Sequence, residues 1–177
     1  MDKIITNFLS KLEFGECQVF KNMAVIPLFS PVNHSPRYLS LAEAMGKGLL
    51  TVTEVSQSGA VPELKVVNRA DLLVLLLDGA ELAGAKQNRV LNTTILLMEH
   101  SETIIPVSCT EHGRWDYATP AFAASGNIMS QSLRMEKSSL VSFSLRENMS
   151  YRGNQGEVWN GIERLSQAAN VHSRTGA

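Results

Sequence analysis

Two short segments concentrate the residues able to do chemistry. The first, Gly84-Ala85-Lys86-Gln87-Asn88-Arg89-Val90-Leu91-Asn92, sets Gln, Asn and Arg side by side inside a stretch otherwise patterned for a β-sheet. So many polar side chains cannot all enter a core, because each buried polar group needs a partner. Read as a strand, Gln87, Arg89 and Leu91 point to one face and Lys86, Asn88, Val90 and Asn92 to the other. The run is then either a solvated edge strand or a donor set centred on Arg89, whose planar fork matches a carboxylate or phosphate.

The other segment is Pro106-Val107-Ser108-Cys109-Thr110-Glu111-His112-Gly113-Arg114-Trp115. A strand continuing through Glu111 places Cys109 and Glu111 on one face, with Arg114 and Trp115 following the bend at Gly113. A guanidinium beside an indole suits a planar ring joined to an anionic group. The competing reading is a packed Trp with a local ion pair between Arg114 and Glu111 or Asp116. Glu111 is the candidate general base, since burial and neighbouring charge tune a carboxylate. Cys109 is the candidate nucleophile, with His112 and Arg114 close in sequence to depress its pKa, although a cysteine in a strand is more often a small buried hydrophobe. A metal set of His100, Cys109, Glu111 and His112 is a weaker alternative: no H-x-H, H-E-x-x-H or C-x-x-C spacing supports it, and no cofactor is expected. The chain has no G-x-S-x-G, Walker A or G-x-G-x-x-G pattern, which counts against α/β-hydrolase, P-loop and Rossmann classes.

The elements that would position these residues are mostly strands. Leu50–Val55 alternates, and Val61–Val67, Leu72–Leu77, Val90–Met98 and Thr103–Val107 are further β-type runs split by short polar or Gly turns. Asp78-Gly79 and Glu99–Glu102 read as hairpin turns. Many short strands without intervening helices predict an α+β fold, a mainly antiparallel sandwich or small barrel with flanking N- and C-terminal helices. The helices are predicted over residues 2–13, over about two turns after the Ser40/Glu43 capping box, and over Gln155–Ala169 behind Asn154. Cys17–Phe29 suggests one or two strands ended by a loop from Ser30 to Tyr38. Seven Ser and few charges over residues 119–144 read as a mobile loop or lid, and the polar stretch His172–Ala177 as a frayed tail.

Composition bounds the partners. The chain has 177 residues, 44% hydrophobic and 19% charged, with 16 basic and 17 acidic side chains, enough for a single domain with a core. A net charge of -1 with no basic run argues against nucleic acid, and no apolar run spans a membrane. Two distant cysteines and no export signal predict a cytoplasmic protein with reduced thiols. The cations are unevenly typed: residues 1–88 hold six Lys and two Arg, residues 89–177 one Lys and seven Arg. The second half is where an anion site is expected.

Taken together, Leu76 through Asn92 and Ile105 through Trp115 resemble the prokaryotic domain family named for its association with ADP-ribosylglycohydrolase and with rhodanese and phosphatase superfamily proteins. Thr53-Glu54-Val55, Val61-Pro62-Glu63-Leu64, Asn68 and Gln155-Gly156-Glu157-Val158-Trp159 fit the same pattern. The resemblance spans about Tyr38 to Ile162. It implies a link to NAD and ADP-ribose metabolism by gene association, and a further sheet and helix segment beyond Ala177 in related chains. The combined expectation is a domain that binds or processes an NAD-derived or ADP-ribose-like nucleotide. Arg89 and Arg114 would meet phosphate, Gln87 and Asn88 would hydrogen-bond ribose or base, and Trp115 would pack against a ring; whether there is turnover, and whether the chain forms a homo-oligomer, stay open. The alternative is a protein-interaction module whose polar network fixes strand register, and a metal-dependent sandwich enzyme is the weaker third.

Overall fold

Alternating burial along most strands after Tyr38 builds that part of the chain around one face of each sheet. In a computed structural model, residues 2–31 and 37–175 are described, and they divide into two compact units at Arg37/Tyr38.

The first unit holds α1 (Lys3–Leu9), whose N-cap Asp2 accepts from Ile4 N at 2.9 Å, and four strands of two or three residues. β1 (Glu13–Phe14) pairs with β4 (Leu28–Phe29), and β2 (Gln18–Phe20) with β3 (Met23–Val25), all antiparallel. The helix is shorter than the apolar spacing predicts because its C-cap lies at Ser10, and β1 takes the end of the predicted helical stretch. Three strands occupy Cys17–Phe29 instead of one or two. The loop expected from Ser30 to Tyr38 lies largely outside the described residues.

In the second unit, β5 (Tyr38–Ser40) runs parallel to β8 (Leu73–Leu76), which pairs antiparallel with β11 (Ile95–Leu97). The larger sheet is antiparallel throughout, in the order β13 (Phe122–Ile128), β9 (Ala80–Gly84), β10 (Arg89–Leu91), β12 (Glu102–Cys109), β7 (Glu63–Asn68) and β6 (Leu50–Glu54). It curls into a half-barrel. Its inward Val52, Leu64, Val66, Leu82, Leu91, Ile105 and Val107 join Leu39, Val74, Leu76 and Leu97 of the small sheet in one buried cluster. Burying each such side chain contributes about 1.5–3 kcal/mol. The helix α2 (Leu41–Gly46) adds Leu41 and Ala44, started by the reciprocal Ser40/Glu43 capping box. The mainly antiparallel α+β architecture expected from the strand pattern is what the chain adopts.

Four local expectations change. Asp78-Gly79 does not close a hairpin: β8 and β9 belong to different sheets, and Gly79 N donates to Leu91 O at 3.0 Å. Glu99–Glu102 likewise carries the chain from β11 to β12 across sheets, and the apolar run Val90–Met98 splits into β10 and β11 for the same reason. Turn chemistry reports a reversal of the chain but not which sheet the next strand joins. Residues 119–144, predicted as a loop, form β13 and most of α3 (Gln131–Asn148). Small residues hid the strand, since Ala123 and Ala124 pair with Ala83 and Leu82 with little side chain to announce it. The last helix, α4 (Gln155–Ala169), begins behind its Asn154 cap and packs on β12 and α3. No helix among the described residues is long and apolar enough to cross a membrane.

Candidate functional site

Antiparallel pairing brings the end of β6, the start of β7, the end of β12 and the start of β10 to one end of the half-barrel. Arg89 opposes Cys109 there, and both face inward with Leu91 and Val107. Glu54 closes the inward series Leu50, Val52, Glu54 on β6. Two strands separate β10 from β6, a distance of roughly 14 Å in a flat sheet, yet Arg89 Nη2 lies 3.7 Å from Glu54 Oε1. The curl makes that ion pair, and both side chains are almost wholly buried, at 0% and 3% exposure.

The pair is poorly satisfied. Arg89 Nη1 donates to Gln87 O and Oε1 at 3.3 and 3.1 Å. Arg89 Nε and Nη2 and both Glu54 carboxyl oxygens have no hydrogen-bond partner. A buried polar group left unmade costs about 1–3 kcal/mol, so four in one place are a local deficit carried by the rest of the fold.

Arg114 is the opposite case. Its Nε donates to both Glu111 oxygens at 3.3 and 3.2 Å, Nη1 to Ala85 O and Asp116 O at 2.8 and 3.0 Å, and Nη2 to Asn88 Oδ1 and Glu111 Oε2 at 3.2 and 2.5 Å. Asn88 N donates to the same carboxylate at 2.7 Å, and Asn88 Oδ1 also accepts from Gly84 N. Gln87 links the two arginines, because its Nε2 donates to Glu111 O at 3.0 Å while its Oε1 holds Arg89. The chain turns through residues 85–88 with Ala85 at φ 43, so the alternation predicted for Lys86, Gln87 and Asn88 does not apply; β10 begins at Arg89.

Burial by itself raises the Glu111 carboxyl, but hydrogen bonds from Arg114, Asn88 N and Thr175, with the Arg114 charge, outweigh it and hold the group below the ordinary carboxylate range. A carboxylate so committed is a weak proton acceptor. Burial pushes the Cys109 thiol above its ordinary value, more than the adjacent Arg89 guanidinium lowers it. A raised thiol holds little thiolate.

Arg89 lies against an aromatic side chain that also carries a lysine. Arg89 Cζ lies 5.6 Å from the Trp115 ring centroid, and Lys86 Nζ lies 5.2 and 5.1 Å from those of Trp115 and Tyr117. Lys86 Nζ also donates to Ser58 O at 2.7 Å, and Tyr117 Oη to Gln57 O at 3.3 Å, tying down the loop over residues 55–62. Gly59 in that loop, at φ +76, faces Glu54 so closely that a Cβ would stand 3.3 Å from Oε2.

The histidines scatter. His100 pairs with Asp71 at 2.6 Å, while His112 meets the Trp159 ring edge-on at 4.3 Å between centroids. Among the described residues no three His, Cys, Asp or Glu side chains are placed to hold a metal, so the set His100, Cys109, Glu111 and His112 is not assembled. The tail expected to fray turns back instead, with Thr175 O accepting from His112 N and Gly113 N.

Several structurally decisive residues were not among the candidate site residues. Gln155 pairs with both backbone groups of Cys109, at 2.7 and 2.8 Å, and so fixes the start of α4 to β12. Asn92 bridges Ser108 Oγ and Tyr151 O. Lys137, 1% exposed, donates to Asp78 and to Leu91 O, anchoring α3; burial lowers its pKa against the opposing pull of Asp78. Glu54 had a signal, a carboxylate on the apolar face of an alternating strand. Lys137 had none, because only the docking of α3 buries it.

No curated protein and no solved structure matches the chain. One family profile does match, over residues 11–177. That span takes in the Glu54, Arg89, Glu111, Arg114 and Trp115 cluster, and the chain belongs to the ARG and Rhodanese-Phosphatase-superfamily-associated Protein domain family.

Proposed function

We propose that the end of the half-barrel is a binding site for an NAD-derived or ADP-ribose-like nucleotide. The family name associates the domain with ARG, ADP-ribosylglycohydrolase, and a role related to ADP-ribose is consistent with that association. The observation that carries the reading is Arg89: fully buried, with Nε and Nη2 unpartnered, and set against the Trp115 ring. Donors held ready in a desolvated site beside an aromatic surface suit a polar ring system. Lys86, at the rim, supplies a cation for the phosphate. Arg114, Asn88 and Gln87 act as positioning residues, since their polar groups already serve the Glu111 cluster.

Calorimetric titration of ADP-ribose and NAD into wild type and Arg89→Ala tests this. Binding by wild type that is lost in a folded Arg89→Ala variant supports the site; no heat from wild type at high micromolar ligand removes it.

A second reading is favoured by one observation of its own. Every nitrogen of Arg114 is engaged by Glu111, Asn88, Ala85 or Asp116, which is the pattern of a register-fixing network in an interaction module. Under that reading Arg89→Ala lowers thermal stability and no nucleotide binds.

A further inference from the structure

We propose that the Glu54–Arg89 pair recognises a neutral planar donor–acceptor edge, a carboxamide or an amidine-type ring edge, and that the anionic part of the ligand lies outward at Lys86. This rests on the nucleotide reading and names the part of the ligand that enters first.

The hydrogen-bonding needs of the two side chains are complementary. Arg89 Nε and Nη2 are donors without acceptors, and the two Glu54 oxygens are acceptors without donors. They sit 3.7 Å apart at their nearest atoms. A bare phosphate placed on Arg89 would stand against the Glu54 carboxylate and be repelled. A carboxamide places its oxygen and its NH2 side by side in one plane, so the oxygen accepts from Arg89 while the NH2 donates to Glu54. An aminopurine edge does the same with a ring nitrogen and an exocyclic amine. Trp115, 5.6 Å from Arg89 Cζ, provides the surface on which such a ring stacks.

Access runs through the loop over residues 55–62. Two side-chain hydrogen bonds hold its middle, from Lys86 Nζ to Ser58 O and from Tyr117 Oη to Gln57 O, while its end is fixed to β12 by Val107 N donating to Pro62 O at 2.9 Å. Gly59 of this loop packs between Glu54 and Lys86, where a Cβ would stand 3.3 Å from Glu54 Oε2 and 3.2 Å from Lys86 Cδ, so a ring enters by displacing the loop backbone and the Lys86 side chain. Lys86 belongs to both the latch and the rim. An anionic group that draws Lys86 Nζ away from Ser58 O therefore loosens the loop as it binds.

The test compares ring probes with anion probes by calorimetry on the wild-type chain, and then on Glu54→Gln, which keeps the shape but replaces one acceptor with a donor. Adenosine and nicotinamide, which carry no phosphate, are expected to bind; sodium pyrophosphate alone is expected neither to bind tightly nor to displace them. Glu54→Gln should weaken the ring probes and ADP-ribose by tenfold or more. If pyrophosphate displaces ADP-ribose while adenosine and nicotinamide give no heat, the edge proposal falls and the nucleotide site stands. The same holds if ADP-ribose binds a folded Glu54→Gln unchanged. If no probe binds wild type, the nucleotide reading fails with it. The wild-type competition needs no variant, so it decides the proposal even where Glu54→Gln is unstable.

Discussion

Arg89 and Arg114 stand in one polar cluster, joined through Gln87 and Glu111, and solve opposite problems. Arg114 retains 20% side-chain exposure yet has an acceptor for every nitrogen. Arg89 has none of that exposure and leaves two nitrogens unmatched beside an equally unmatched Glu54. The first guanidinium is open to solvent at one side, whereas the second is covered by the folded chain. Deficits of this kind concentrate where a site is poised for something outside the fold, whereas saturation marks groups that hold the fold itself.

The largest effect separating the two should come from Arg114→Ala. It strands the Glu111 carboxylate together with Asn88, Ala85 O and Asp116 O, and loss of about 3–5 kcal/mol in urea unfolding is expected. A loss under about 1 kcal/mol would mean that the Glu111 cluster is not structural.

Gln155→Ala should follow. Two hydrogen bonds to the Cys109 backbone are removed, for about 2–3 kcal/mol, with faster amide exchange at Cys109. Unchanged exchange there would show that α4 stays docked without the amide pair.

The pH dependence is smaller and has a definite sign. Glu111 titrates below the ordinary carboxylate range in the folded chain, so in that window the unfolded state binds more protons and stability rises with pH. The contribution is fully present above the ordinary carboxylate pKa and is lost as pH falls through the depressed one. Comparing acid unfolding of wild type and Glu111→Gln, the variant should show the shallower slope, and equal slopes would count against the assignment.

The smallest expected change in stability is also the sharpest contrast. Replacing both members of the unmatched pair, Arg89→Met with Glu54→Leu, should leave stability within about 1 kcal/mol of wild type or raise it, because a poorly paired buried charge pair is readily exchanged for apolar bulk. Nucleotide binding should vanish. A large loss of stability in this double variant would place Arg89 in the same structural class as Arg114.

Much of this was legible beforehand, and where it was not the reason is physical. The two polar segments and the residues Gln87, Asn88, Arg89, Cys109, Glu111, Arg114 and Trp115 stand out by composition, and the Arg114–Glu111 ion pair was one of the two readings open to that segment. The division of labour between the arginines was not visible, since it depends on which acceptors the turn through 85–88 delivers. Lys137 lies in the stretch 119–144, which reads as a loop, and nothing in the sequence marks it for burial. Its partners Asp78 and Leu91 O come from a sheet-crossing turn and a central strand far away in sequence.

The sequence by itself determined most strands of the two sheets and the helices α2 and α4, though not β13 or α3, because periodicity, capping pairs such as Ser40/Glu43 and Asn154/Glu157, and Gly turns are short-range physics. It determined the family as well, through the same two segments. Tertiary structure alone decided which sheet each strand joined and how far the larger sheet curled. That curl brings Glu54 across two intervening strands to Arg89. The environment of a charge is set by everything that removes water from it, and that is a property of the packed whole.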